Sequence, residues 1–175
     1  MMVEFLSEEN INLHRDYVRN TKLKYSIIES SISKLKGAGV REVLSMRLSQ
    51  RDKDEALRLL PEIAIHDIYF SSFDDKRFPH SALVAKHWGS ESAFLNEVYR
   101  NCMAIKYGFV AIFRLRNIIA VKGFEDCLEI FKAGTPLLAV DVCEHVYFMD
   151  YGFDKERYLV NALSYLDITK LTADI

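Results

Sequence analysis

Thr135-Pro136-Leu137-Leu138-Ala139-Val140-Asp141-Val142-Cys143-Glu144-His145-Val146-Tyr147 sets a carboxylate and an imidazole four residues apart inside an otherwise apolar run. Charged side chains are seldom fully buried unless they are paired or hold a metal. Residues 137–142 read as a buried strand that delivers Asp141 and His145 to one place. Upstream, the β-prone runs at 109–113 and 118–121 flank a polar turn and predict a hairpin. Downstream, residues 158–166 predict a closing helix.

The N-terminal half carries a different periodicity. Ser7 is a plausible N-cap, and Glu8 and Glu9 complement the positive end of the helix dipole. Ile11, Leu13, Tyr17, Val18, Tyr25, Ile28 and Ile32 recur at roughly helical spacing, which predicts a helix over 7–36 ended by Gly37-Ala38-Gly39. A second helix is expected from Asp54 through Leu57, Leu60, Ile63 and His66 toward Phe73, with a kink or restart at Pro61. Residues 73–86 are polar, carry Pro79 and read as a linker. Gly89-Ser90 then opens a third helix, with Phe94, Val98, Cys102 and Ile105 on one face and Gly108 at its close. The expected class is α+β: an N-terminal helical hairpin over 1–76 and a C-terminal domain over 77–175, in which helices flank a small three-stranded antiparallel sheet.

Composition narrows the function. The 175 residues are half hydrophobic, with three prolines and a net charge of −2. Extended disorder is not expected, and no basic stripe suits nucleic acid. No run is long and apolar enough to span a membrane, and Met1-Met2-Val3-Glu4-Phe5 lacks the features of a secretion signal. Cys102, Cys127 and Cys143 show no framework spacing, so a reducing, cytoplasmic setting is expected.

Four stretches together resemble one family. Asp141 to Phe148 is similar to the Asp-Val-Trp-Glu-His-Ala-Tyr-Tyr signature of the iron/manganese superoxide dismutases, with Cys143 in place of the tryptophan and Phe148 in place of the last tyrosine. Leu6 to His14 is similar, without gaps, to the run ending in that family's first metal histidine. Ile65-His66-Asp67-Ile68-Tyr69-Phe70 resembles the segment bearing the second, and Gly89-Ser90 with Phe94 resembles the opening of its C-terminal domain. The resemblance implies a metal site between the two halves, with His14, His66, Asp141 and His145 as ligands to one iron or manganese ion per subunit. Zinc also suits such donors. It further implies dismutation of superoxide to dioxygen and hydrogen peroxide, and a homodimer in which Glu144 meets His145 of the other subunit. The alternative is a descendant that keeps the fold for other metal redox chemistry or for a structural role. His80 and His87 match nothing and are expected to be solvated.

The surround of the site departs from the family pattern. Glu62 stands where the iron-type members have a glutamine; a carboxylate only accepts hydrogen bonds, whereas an amide also donates. Glu62 either favours the trivalent metal, or ligates it, or faces solvent. Continuing without gaps from His14, the family's next histidine becomes Val18 and its gateway tyrosine becomes Lys22, with Tyr25 as a tyrosine on the same helix. Lys22 would attract an anion. The alternative register aligns Asp16-Tyr17-Val18 with the family's x-Tyr-Val. Val18 and Phe148 together imply the loss of a hydrogen-bonded pair from both sides at once. Cys143 is either a small buried hydrophobe or a thiol beside a redox metal.

Overall fold

The computed structural model describes residues 4–75, 81–115 and 118–172. Helix α1 (Glu8–Ser31) starts where the sequence predicts, with the Asn10 backbone N–H donating to Ser7 Oγ at 3.3 Å. A short α2 (Val40–Ser45) follows, then α3 (Gln50–Ser71), which packs along α1. Pro61 does not restart α3: the helix is continuous across it. Leu59, Leu60, Ile63 and Ile65 are buried on either side, and packing of an apolar face outweighs the roughly 3 kcal/mol that proline costs a helix interior.

The expected linker is partly helical. Helix α4 (Ala82–Trp88) begins within it, capped by Ser81 and anchored by the fully buried Val84; residues 76–80, which include Pro79 and His80, lie outside the described residues. Exposed His87 sits against Trp88. Helix α5 (Glu91–Ala104) buries Phe94, Val98 and Cys102 as its spacing predicts.

The hairpin forms from β1 (Phe109–Leu115) and β2 (Ile118–Phe124), each longer than the sequence signal. Helix α6 (Cys127–Ala133) leads to β3 (Pro136–Asp141), and α7 (Glu144–Tyr151) and α8 (Lys155–Ser164) close the chain. The sheet is antiparallel in the order β2-β1-β3, with Phe109 opposite both Phe124 and Asp141. As an edge strand β3 needs cover. Ser72, at the end of α3, supplies it: its Oγ accepts from the Ala139 N–H at 2.8 Å and donates to the Ile68 carbonyl at 2.7 Å. Buried side chains from Phe5 to Leu171 form one apolar cluster. No described helix is long and apolar enough to cross a membrane.

Candidate metal centre

The end of β3 aims Asp141 inward. Its Oδ1 accepts the Cys143 backbone N–H at 2.9 Å, and its carbonyl accepts the Tyr158 hydroxyl at 2.9 Å. Below this turn, the Val142 N–H donates to the Gly108 carbonyl at 3.0 Å, and the Gly108 N–H donates to Cys143 Sγ at 3.1 Å. The second carboxylate oxygen, Oδ2, is left facing three imidazoles. It lies 3.8 Å from His14 Nε2, 3.7 Å from His66 Nε2 and 3.7 Å from His145 Nε2.

Each imidazole is held by its own element. Asn10, buried in the first turn of α1, donates from its side chain to the Val146 carbonyl at 2.8 Å and to Asp150 at 2.9 Å. The Ser7 N–H also donates to Asp150, at 2.9 Å, so the N-terminus of α1 is tied to α7 and His14 is brought beside His145. His66 Nδ1 lies 2.7 Å from the Glu62 carbonyl. A carbonyl only accepts, so Nδ1 carries the proton and Nε2 offers a lone pair to the centre. His145, in the first turn of α7, keeps a side chain that is 52% exposed.

The four donor atoms lie within 4.8 Å of one another. The distances of 3.7–3.8 Å are too long for hydrogen bonds, and His14 Nε2, His66 Nε2 and Asp141 Oδ2 are buried without a hydrogen-bond partner. Burial, reinforced by His66 and His145, pushes the His14 pKa down to about 3; burial lowers His66 and His145 as well. Burial raises the Asp141 carboxyl to about 7, against the hydrogen bonds from Cys143. Neutral imidazoles and an oxygen donor converging on one point, otherwise unsatisfied, fit a single iron or manganese ion.

Of the sequence-predicted surround, Glu62 is beside this cluster, half-buried, and accepts a hydrogen bond from the Tyr17 hydroxyl. The bond to Glu62 and then burial push the Tyr17 phenol up to about 12. Tyr17 lines a pocket of about 360 Å³ with Leu13, His14 and His145, and its ring centroid is 6.0 Å from that of His66. Lys22 pairs with Asp67 at 2.7 Å on the surface and is not among the residues lining this pocket. Tyr25 is buried in the core, its hydroxyl without a partner, and Val18 is buried on the same side of α1. Glu144 is exposed next to His145; Phe148 is exposed on α7 and contacts Phe153, with ring centroids 5.1 Å apart. Cys143 is half-buried, and burial pushes its thiol up to about 12. Phe70 packs on His14 and Phe109 on His66, at centroid distances of 4.9 and 5.1 Å.

Tyr17 is the residue that the preferred register passes over. The signal for it is the Tyr-Val pair at 17–18, which the alternative register retains.

A family model described as iron/manganese superoxide dismutases, C-terminal domain, matches residues 78–173. A curated protein, "Superoxide dismutase [Mn]" of Chlamydia muridarum (strain MoPn / Nigg), is 32% identical over an 84-residue alignment that covers 45% of this chain. This chain covers 41% of that protein's own length.

Proposed function

This chain belongs to the iron/manganese superoxide dismutase family, and on that premise we propose that His14, His66, Asp141 and His145 hold one iron or manganese ion at which superoxide is dismutated. The observation that carries this reading is the convergence of three imidazole Nε2 atoms on one carboxylate oxygen. An ion held by His14, His66, Asp141 and His145 would supply the reversible one-electron exchange that conversion of two superoxides and two protons to dioxygen and hydrogen peroxide requires. The protein residues set the conditions for it. Asp141 and the neutral histidines bring a ligand charge of −1. The pocket lined by Leu13, His14, Tyr17 and His145 admits a small anion from solvent. Tyr17 fixes the Glu62 carboxylate, which adds negative charge beside the centre and favours the trivalent metal.

The same reading makes the protein a cytoplasmic homodimer with the site between the parts spanning 1–76 and 77–175. Glu144 and His145, both exposed, meet reciprocally across a twofold, and exposed Phe148, Met149 and Phe153 support that contact. The carboxylate of Glu62, in place of an amide, favours one second reading: a metalloprotein with redox chemistry other than dismutation.

Superoxide consumption by protein loaded separately with iron and with manganese, with metal content measured, tests both readings. Turnover that vanishes in His66→Ala supports the dismutase. Full metal occupancy without turnover supports the second reading, and no retained metal in either preparation overturns both.

A further inference from the structure

Two of the four donors are oriented by hydrogen bonds of their own, Asp141 by the Cys143 N–H and His66 by the Glu62 carbonyl. His14 and His145 have no such hold. Both ring nitrogens of His14 are buried without a hydrogen-bond partner, and among the described residues no group hydrogen-bonds the His145 ring. The two rings meet edge to face with centroids 5.2 Å apart. Their convergence is therefore set by how the backbones of α1 and α7 lie against each other.

Helix α7 does little to fix itself. It has eight residues, its N-cap Cys143 makes no side-chain capping bond, and the His145 side chain is 52% exposed. The tie to α1 lies about one turn from each imidazole. Asn10 stands four residues before His14 on the same face of α1 and is only 1% exposed. Its side-chain amide reaches the Val146 carbonyl, next to His145, at 2.8 Å and Asp150 Oδ2 at 2.9 Å. The Ser7 N–H meets the same Asp150 oxygen at 2.9 Å, so the end of α7 places a carboxylate at the positive pole of the 24-residue α1. Although desolvation raises the Asp150 carboxyl, the bonds from Ser7 and Asn10 hold it below its ordinary pKa, and the acceptor is ionised at neutral pH. Tyr151 extends the seam by donating to the Phe5 carbonyl.

We propose that Asn10 and Asp150 are positioning residues for the metal: they hold the His14–His145 edge of the centre, while Asp141 and His66 are held by their own bonds. The inference rests on the metal-binding reading above. It divides the centre into one edge set directly by the bonds to Cys143 and Glu62 and one edge assembled at a helix junction. Coupling of this kind is reciprocal, so an ion that draws His14 and His145 together also tightens the clamp.

Manganese affinity of the full chain, from calorimetric titration, tests the proposal, with circular dichroism of the metal-free protein to verify folding. Asn10→Ala should weaken binding by about tenfold or more, the scale on which groups behind metal ligands act. Asp150→Ala should do the same. Asp150→Asn, whose amide oxygen still accepts both N–H groups, should recover most of that loss. Asp150 is exposed, so this pair reads the same quantity where Asn10→Ala fails to fold. In a His14→Ala background the edge no longer exists, and Asn10→Ala should cost about threefold or less. Manganese loading of the unaltered chain should slow hydrogen exchange of the Ser7 amide. Affinity within about twofold of the unaltered chain in both alanine variants overturns the proposal, as does a loss that Asp150→Asn fails to recover. An undiminished loss in the His14→Ala background also overturns it, by marking Asn10 as a general support of the fold. An unaltered chain that holds no manganese or iron overturns the metal-binding reading and this inference together.

Discussion

Asp141 gives its two carboxylate oxygens separate tasks: the backbone of Cys143 holds one, and three imidazoles face the other. With the imidazoles held below their ordinary pKa and Asp141 raised to about 7, Asp141 is the donor that still carries a proton just below neutrality. Binding of divalent manganese near pH 6 should displace close to one proton, so affinity falls about tenfold per pH unit below about 7 and levels off above it. Isothermal calorimetry in two buffers of different ionisation heat measures this, and a release near three protons would show that the histidines are protonated in the metal-free site. Glu62→Gln removes a negative charge beside the centre and should raise the reduction potential of the loaded protein by on the order of 60 mV, one tenfold change in a one-electron equilibrium. An unchanged potential in a redox titration would remove Glu62 from that role. The four donors are legible in the sequence because each sits in a short motif. Tyr17 is not, because its partnership with Glu62 depends on how α1 lies against α3, and one-dimensional spacing leaves two registers open.

At the scale of elements, two small residues hold β3 and its carboxylate in place. Gly108 has φ +101, and a side-chain carbon there would come within 2.1 Å of the Phe124 carbonyl oxygen. Gly108→Ala should therefore cost at least about 2 kcal/mol in a denaturant titration, from the left-handed backbone and the clash together. Ser72→Ala leaves the Ala139 N–H buried without its acceptor and should cost about 1–3 kcal/mol. A loss below 0.5 kcal/mol would mean that the edge of β3 finds another partner. The strands and the long helices are legible from apolar periodicity. The short helices α2, α4 and α6 are not, because six or seven residues hold too few turns to show a period. The unbroken course of α3 through Pro61 escapes local rules for the opposite reason: a long buried face decides it.

The whole molecule is stitched together at the centre, since α1, α3, β3 and α7 each contribute one donor. An ion that binds only the folded chain stabilises it by about 4 kcal/mol at a thousandfold excess over Kd. For a chain of this size, chelation should then lower the unfolding temperature by about 8–16 °C in scanning calorimetry. A shift of under 2 °C would mean that the four elements hold together without help from the metal. The donor order from His14 to His145 has one more consequence, which concerns synthesis. At about 5–20 residues per second, a ribosome adds His145 roughly 7–26 s after His14. Throughout that interval the nascent chain holds an incomplete ligand set, and the set closes only after all three strands of the sheet have been made. A nascent chain halted before Asp141 therefore offers at most His14 and His66, two of the four converging side chains, and should hold iron or manganese far more weakly than the finished chain.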